Sequence, residues 1–117
     1  MQGMSNISST LRQQLQQLEA ELRAASLWSA QPPSPEAMAS TMPFMYDTLL
    51  LEQWLQWVFV PRMHALLDAQ AALPGTCSVH PLAEHEWSSR LGHVRYQAAL
   101  AVLAEIDRTL SGDSAAA

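Results

Sequence analysis

Apolar residues recur at Ile7, Leu11, Leu15, Leu18, Leu22 and Ala25, in steps of three or four, while Arg12, Gln13, Gln16, Glu19 and Arg23 fall between them. That is the period of a helix with one buried face, and it predicts an amphipathic helix over residues 6–27. Thr10 with Gln13 fits a reciprocal cap at its start, and Ser5 or Asn6 would begin it a turn earlier. The pattern then stops. Segment 29–43 carries Pro32, Pro33 and Pro35, which keep it from being continuously helical. A connection of this length either wraps the surface or serves a purpose. Its prolines lower the entropy lost on ordering, so it is expected to drape over the second helix.

The second helix is predicted to start at Asp47 or Thr48, both good caps, and to run to about Gln70. From Leu49 to Val60 it is apolar on nearly every side, the pattern of a helix covered from several directions. Pro61 lacks the amide that would bond the carbonyl of Trp57, and its ring crowds that carbonyl, so a kink or a fresh helix start is expected there. Leu73-Pro74-Gly75 ends the unit. Pro81 suits the first turn of a short helix from Leu82 to Trp87. Leu91, Val94, Ala98, Val102 and Ile106 mark a final helix, widened by Ala99, Leu103 and Leu110. Gly112 fits its carboxyl end, and residues 113–117 are expected to fray. No stretch alternates with period two. The expected fold is all-α: one domain over residues 1–117, a mostly antiparallel four-helix bundle of three long helical units plus a short helix, its second helix central and bent at Pro61.

The block from Thr41 to His64 concentrates the aromatic residues around Trp54 and Trp57. Its pieces Pro43-Phe44, Asp47-Thr48, Trp54-Leu55-Gln56-Trp57 and Pro61-Arg62-Met63-His64 resemble the YqcC-like family of small bacterial proteins. Leu66-Leu67-Asp68 and Leu73-Pro74-Gly75 extend the resemblance downstream. Leu15, Leu18-Glu19 and Trp28 follow the family's opening helix, and Leu103 to Ile106 its closing one. The likeness covers nearly the whole chain, is most specific from Pro43 to Gly75, and is weakest from Thr76 to Arg90. It implies a fold rather than an activity. Because such proteins are often encoded beside a tRNA pseudouridine synthase, it also implies an RNA-modification context.

At 117 residues the chain has the length of a single domain. Only 15% of its residues are charged, well below the usual ~25%, which leaves room for a face that meets a partner. There is no lysine, the arginines stand singly at 12, 23, 62, 90, 95 and 108, and the net charge is −5. Phosphate recognition needs clustered cations, so direct nucleic-acid binding is not expected. The amino terminus has neither a basic region nor an apolar h-region, and no apolar run approaches the ~20 residues that span a bilayer. A cytoplasmic protein is expected. Cys77 has no second cysteine to pair with.

Cys77, His80 and His85 read as C-x₂-H-x₄-H, followed by His93, but the second close-spaced ligand pair of a structural zinc site is missing. Neither a metal nor a cofactor is expected. No nucleophile elbow, phosphate loop or H-E-x-x-H is present, so catalysis is not expected either. The remaining candidate is the aromatic block. Gln53, Gln56, Trp57, Val60 and His64 align on one stripe, with Trp54 on the adjacent face. Gln53, Trp54, Gln56, Trp57, Arg62 and His64 are therefore candidate partner- or ligand-binding residues, with Pro61 and Arg62 forming the structural kink. Arg62 either satisfies the carbonyl freed at Trp57 or pairs with Asp47 or Glu52. These residues suit an adaptor that binds a protein partner or a second copy of itself. The alternatives are an accessory role in tRNA modification or a small-ligand binder with a Trp-lined pocket near the kink.

Overall fold

The computed structural model describes residues 2–75, 77–91 and 96–111, with side chains from Ile7 onward. It is all-α, and no strand occurs among the described residues. Helix α1 spans Gln2–Ala24, and its Leu11, Leu15, Leu18 and Leu22 are completely buried. It stops short of residue 27 because Ser26 turns left-handed (φ 62°), letting the Leu27 amide bond the Leu22 carbonyl at 2.8 Å. That closes the last turn on itself.

The connection that follows is more structured than its prolines suggest. A four-residue helix α2, Pro35–Met38, is capped by Ser34, whose hydroxyl accepts from the Ala37 amide at 3.1 Å. Proline at the first helical position after a serine cap is a local start signal. A 3₁₀ turn, Pro43–Met45, comes next. The segment drapes over the second helix as expected: Phe44 packs edge-to-face on Trp54, with ring centroids 4.9 Å apart.

The central helical unit begins with α3, Leu51–Trp54, passes through a π-helical turn, Leu55–Phe59, and continues as α4, Val60–Asp68. It starts later than Asp47 or Thr48. Asp47 accepts instead from the Ser40 hydroxyl at 2.6 Å, and Thr48 donates to the Ala37 carbonyl at 2.7 Å, so both tie down the preceding loop. The disturbance anticipated at Pro61 is taken up one turn earlier. The Val60 amide reaches back five residues to Leu55, and Phe59 and Val60 keep helical dihedrals. The widened turn gives the proline ring room without ending the helix, the usual service of a π bulge.

Helix α5, Val79–Arg90, is twice the length expected of it, and α6 spans Gln97–Ser111. Its early start is fixed from a distance: the Asp107 carboxylate on α6 accepts from the amides of Val79 at 3.0 Å and His80 at 2.8 Å. Two exposed-end amides are thereby satisfied by a residue no local pattern would nominate.

The pairings fix the topology. Arg12 near the start of α1 meets Asp68 at the end of α4, whereas Ser29, beyond α1, meets Gln56. Glu52 at the start of the central unit meets Arg90 at the end of α5. Cys77, just before α5, meets Ser111 at the end of α6. Successive long units therefore run antiparallel, an up-down-up-down bundle. Its core joins the four leucines of α1 to Leu55, Phe59 and Met63 of the central unit, Ala83 and Trp87 of α5, and Leu103 and Ile106 of α6.

Candidate functional site

The six residues nominated by sequence divide sharply. Gln56 is buried, and its amide grips one residue from both sides: Oε1 accepts from the Ser29 amide and Nε2 donates to the Ser29 carbonyl, both at 2.7 Å. It pins the chain leaving α1 against the π turn. Gln53 turns back, and its Oε1 accepts from the Leu50 amide at 2.8 Å, capping the first turn of α3. Trp54 is half-buried between Phe44 and Phe59. Trp57 is half-buried, its indole N–H enclosed without an acceptor among the described residues. His64 is half-buried on α4.

Arg62 departs from expectation. It is exposed and makes no hydrogen bond or ion pair among the described residues. Its proposed acidic partners are engaged elsewhere, Asp47 with Ser40 and Glu52 with Arg90 and Trp87. The π turn, not a guanidinium, accommodates the proline. Two concavities among the described residues, one between the start of α1 and the end of α4 and one beside α5, are lined by none of Trp54, Trp57 and Pro61.

The residues around Cys77 are placed as follows. Burial pushes its thiol from 9.0 up to about 12, reinforced by a hydrogen bond to Asp107 and that carboxylate's negative charge. Such a thiol is a poor nucleophile at neutral pH. His80 is half-buried in the first turn of α5, His85 is exposed on it, and His93 lies outside the described residues. Among the described residues no three His, Cys, Asp or Glu side chains converge on one point.

A different constellation gathers where the start of the central unit faces the end of α5. Glu52 is only 6% exposed. Its Oε1 accepts from the Arg90 guanidinium at 2.7 Å and from the Trp87 indole at 3.1 Å, and its Oε2 faces Arg90 Nη1 at 3.4 Å. A buried carboxylate survives only if paired and hydrogen-bonded, and this one is. Beside it opens a groove of about 250 Å³, walled by Phe44, Tyr46, Leu49, Leu50, Leu51 and Leu82, with Glu86 and Arg90 at its edge. The rim is apolar yet wet: Tyr46 is 64% exposed and Leu50 46%. Phe44 and Met45 both hold left-handed backbone (φ 56° and 50°), an uncommon state for bulky residues. Their conformation is fixed by the Met45 amide on the Met42 carbonyl at 2.9 Å and the Leu49 amide on the Met45 carbonyl at 2.8 Å. The one sequence signal of this site is Glu52 itself, a lone carboxylate at the head of an apolar run. Its partners lie 35 and 38 residues away.

A family model described as DUF446: tRNA pseudouridine synthase C matches residues 10–109. The chain belongs to that family. Relatives agree with the match. The uncharacterized protein YqcC of Escherichia coli is 40% identical over 104 residues, covering 89% of this chain and 94% of its own. An uncharacterized protein of Haemophilus influenzae is 45% identical over 73 residues, 62% of this chain and 69% of its own. A protein named tRNA pseudouridine synthase C from Pectobacterium carotovorum is 46% identical over 80 residues, 68% of this chain, but the chain spans only 21% of that protein's length. The solution NMR structure of E. coli YqcC superposes with a TM-score of 0.78 at 39% identity, covering 92% of this chain and 90% of that one. The YqcC-like resemblance and the all-α fold are thus both established. Among the described residues of this DUF446 protein, no helix is long and apolar enough to cross a membrane.

Proposed function

We propose that this DUF446 protein is a non-catalytic helical module that works by docking onto a protein, and that the protein is a tRNA pseudouridine synthase C acting in the cytoplasm. The observation that carries the reading is the Pectobacterium relative, in which a segment similar to this chain makes up 21% of a longer protein bearing that name. A segment similar to this chain within a protein of that name makes such an enzyme the natural candidate for its partner. The chemistry of the chain supports an accessory rather than a catalytic role. Buried Gln56 is committed to the Ser29 backbone and buried Glu52 to Arg90 and Trp87, half-buried Gln53 and Asp107 bond backbone amides, and the thiol is held protonated. With a net charge of −5 and no lysine, contact with tRNA would come through the enzyme.

The test is to mix the purified protein with tRNA pseudouridine synthase C of the same bacterium. Binding is followed by calorimetry and pseudouridine formation is assayed with and without the protein. A stoichiometric complex is expected, with no pseudouridine formed by this protein alone. Absence of any complex at tens of micromolar would reject the reading.

A further inference from the structure

We infer that the groove between residues 44–51 and α5 receives a cationic side chain, lysine or arginine, flanked by apolar residues of the partner. The inference rests on the docking role proposed above and names the surface and the chemistry that recognises it.

At about 250 Å³ the groove lies below the ~300–1,000 Å³ of typical small-molecule pockets. It has room for one or two side chains of a protein. Leu82, Glu86 and Arg90 stand four apart on one face of α5, so the side that α5 lends the groove reads apolar, acidic, basic in order. The basic member is already spent, because both Arg90 amino groups face the Glu52 carboxylate, at 2.7 and 3.4 Å. Glu86 has no such answer. It is half-buried among apolar walls and forms no ion pair or side-chain hydrogen bond among the described residues. Among the described residues, two carboxylates against one guanidinium leave the site one negative charge in excess, held where water is partly excluded. An occupant that brings a cation on an aliphatic stem satisfies Glu86 and covers Leu50 and Leu82 together.

Three further observations point the same way. Tyr46 and Leu50 form an exposed apolar rim, and tyrosine is among the residues that anchor interfaces. The loop that carries them is held in place by its own hydrogen bonds, so little ordering entropy remains to be lost on docking. The acidic character of the whole chain suits a partner that must itself present basic surface to tRNA.

The test measures the affinity of tRNA pseudouridine synthase C of the same bacterium for wild type, Glu86→Gln, Glu86→Arg and Leu50→Ser. Glu105→Gln on the exposed face of α6 serves as a control, and circular dichroism confirms each fold. Glu86→Gln is expected to weaken binding about tenfold and to flatten its salt dependence, and Glu86→Arg to weaken it further. Leu50→Ser weakens it with the salt dependence intact, and Glu105→Gln leaves it unchanged. Wild-type binding that Glu86→Arg does not alter overturns this inference and leaves the accessory role standing. No wild-type binding overturns both. A homodimer that Leu50→Ser and Glu86→Arg dissociate would assign the groove to a second copy and also overturn it.

Discussion

Two stretches of this protein mix polar groups into apolar surroundings, and they use them oppositely. Around the π turn, Gln56 spends both ends of its amide on Ser29 and Gln53 caps Leu50. The polarity there is turned inward, and its product is a fixed path for the loop leaving α1. At the groove, Glu52 and Arg90 satisfy each other, but Glu86 and the exposed Tyr46 and Leu50 are left facing outward. A polar side chain in an apolar setting is thus no sign of function by itself. What separates scaffold from docking surface is whether a group open to solvent, unlike the enclosed Trp57 indole N–H, has already found its partner.

The comparison can be broken most forcefully at the groove's base. Arg90→Met leaves a buried Glu52 carboxylate without its cation, so stability is expected to fall by about 3 kcal/mol in urea denaturation. A loss below about 0.5 kcal/mol would mean the pair is a solvated surface bridge of the kind that contributes little. Next in size is Gln56→Ala, which strands the amide and carbonyl of Ser29 and is expected to cost about 1–3 kcal/mol. Hydrogen exchange at Ser29 should accelerate in the same variant, and unchanged exchange would deny Gln56 its pinning role.

How far these roles could be read from the chain depended on where each partner lies in sequence. The leucine stripe of α1 was legible because its period alone states which residues face inward, and all four of its central leucines are completely buried. Helix α5 was underestimated because its first amides bond Asp107, more than twenty residues downstream. For the same reason Glu52 gave no clue to Trp87 and Arg90. Arg62 was misjudged for a different cause. Proline's missing amide is a local fact, but the remedy chosen, a widened turn at Leu55–Phe59, is a backbone adjustment that leaves no mark in the side-chain pattern. Gln53 and Gln56 stand out as amides in an apolar helix and were expected to meet a partner, whereas the fold engages both with backbone, of Leu50 and Ser29.

Smaller effects sharpen the contrast further. The Cys77 thiol ionises near 9.0 in the unfolded chain and at about 12 in the folded one. Unfolding therefore releases its proton above pH 9, and stability is flat in this respect below pH 9 and falls as pH rises toward 12. The fall is modest because the thiol is only partly shielded from water. Comparing denaturation of wild type and Cys77→Ala across that window isolates it, and identical slopes would place the thiol in solvent. Smallest of all is Arg62→Ala, expected to change stability by less than about 0.5 kcal/mol because the exposed side chain has no partner among the described residues. A large loss would restore it to the support of the π turn.

The most direct measurement of the central claim is a hydrogen-exchange map of the protein alone and with tRNA pseudouridine synthase C. New protection is expected to be confined to the 43–50 segment and the second half of α5, with residues 53–64 unchanged. Protection centred on Trp57, Arg62 and His64 instead, with the groove unaffected, would contradict it.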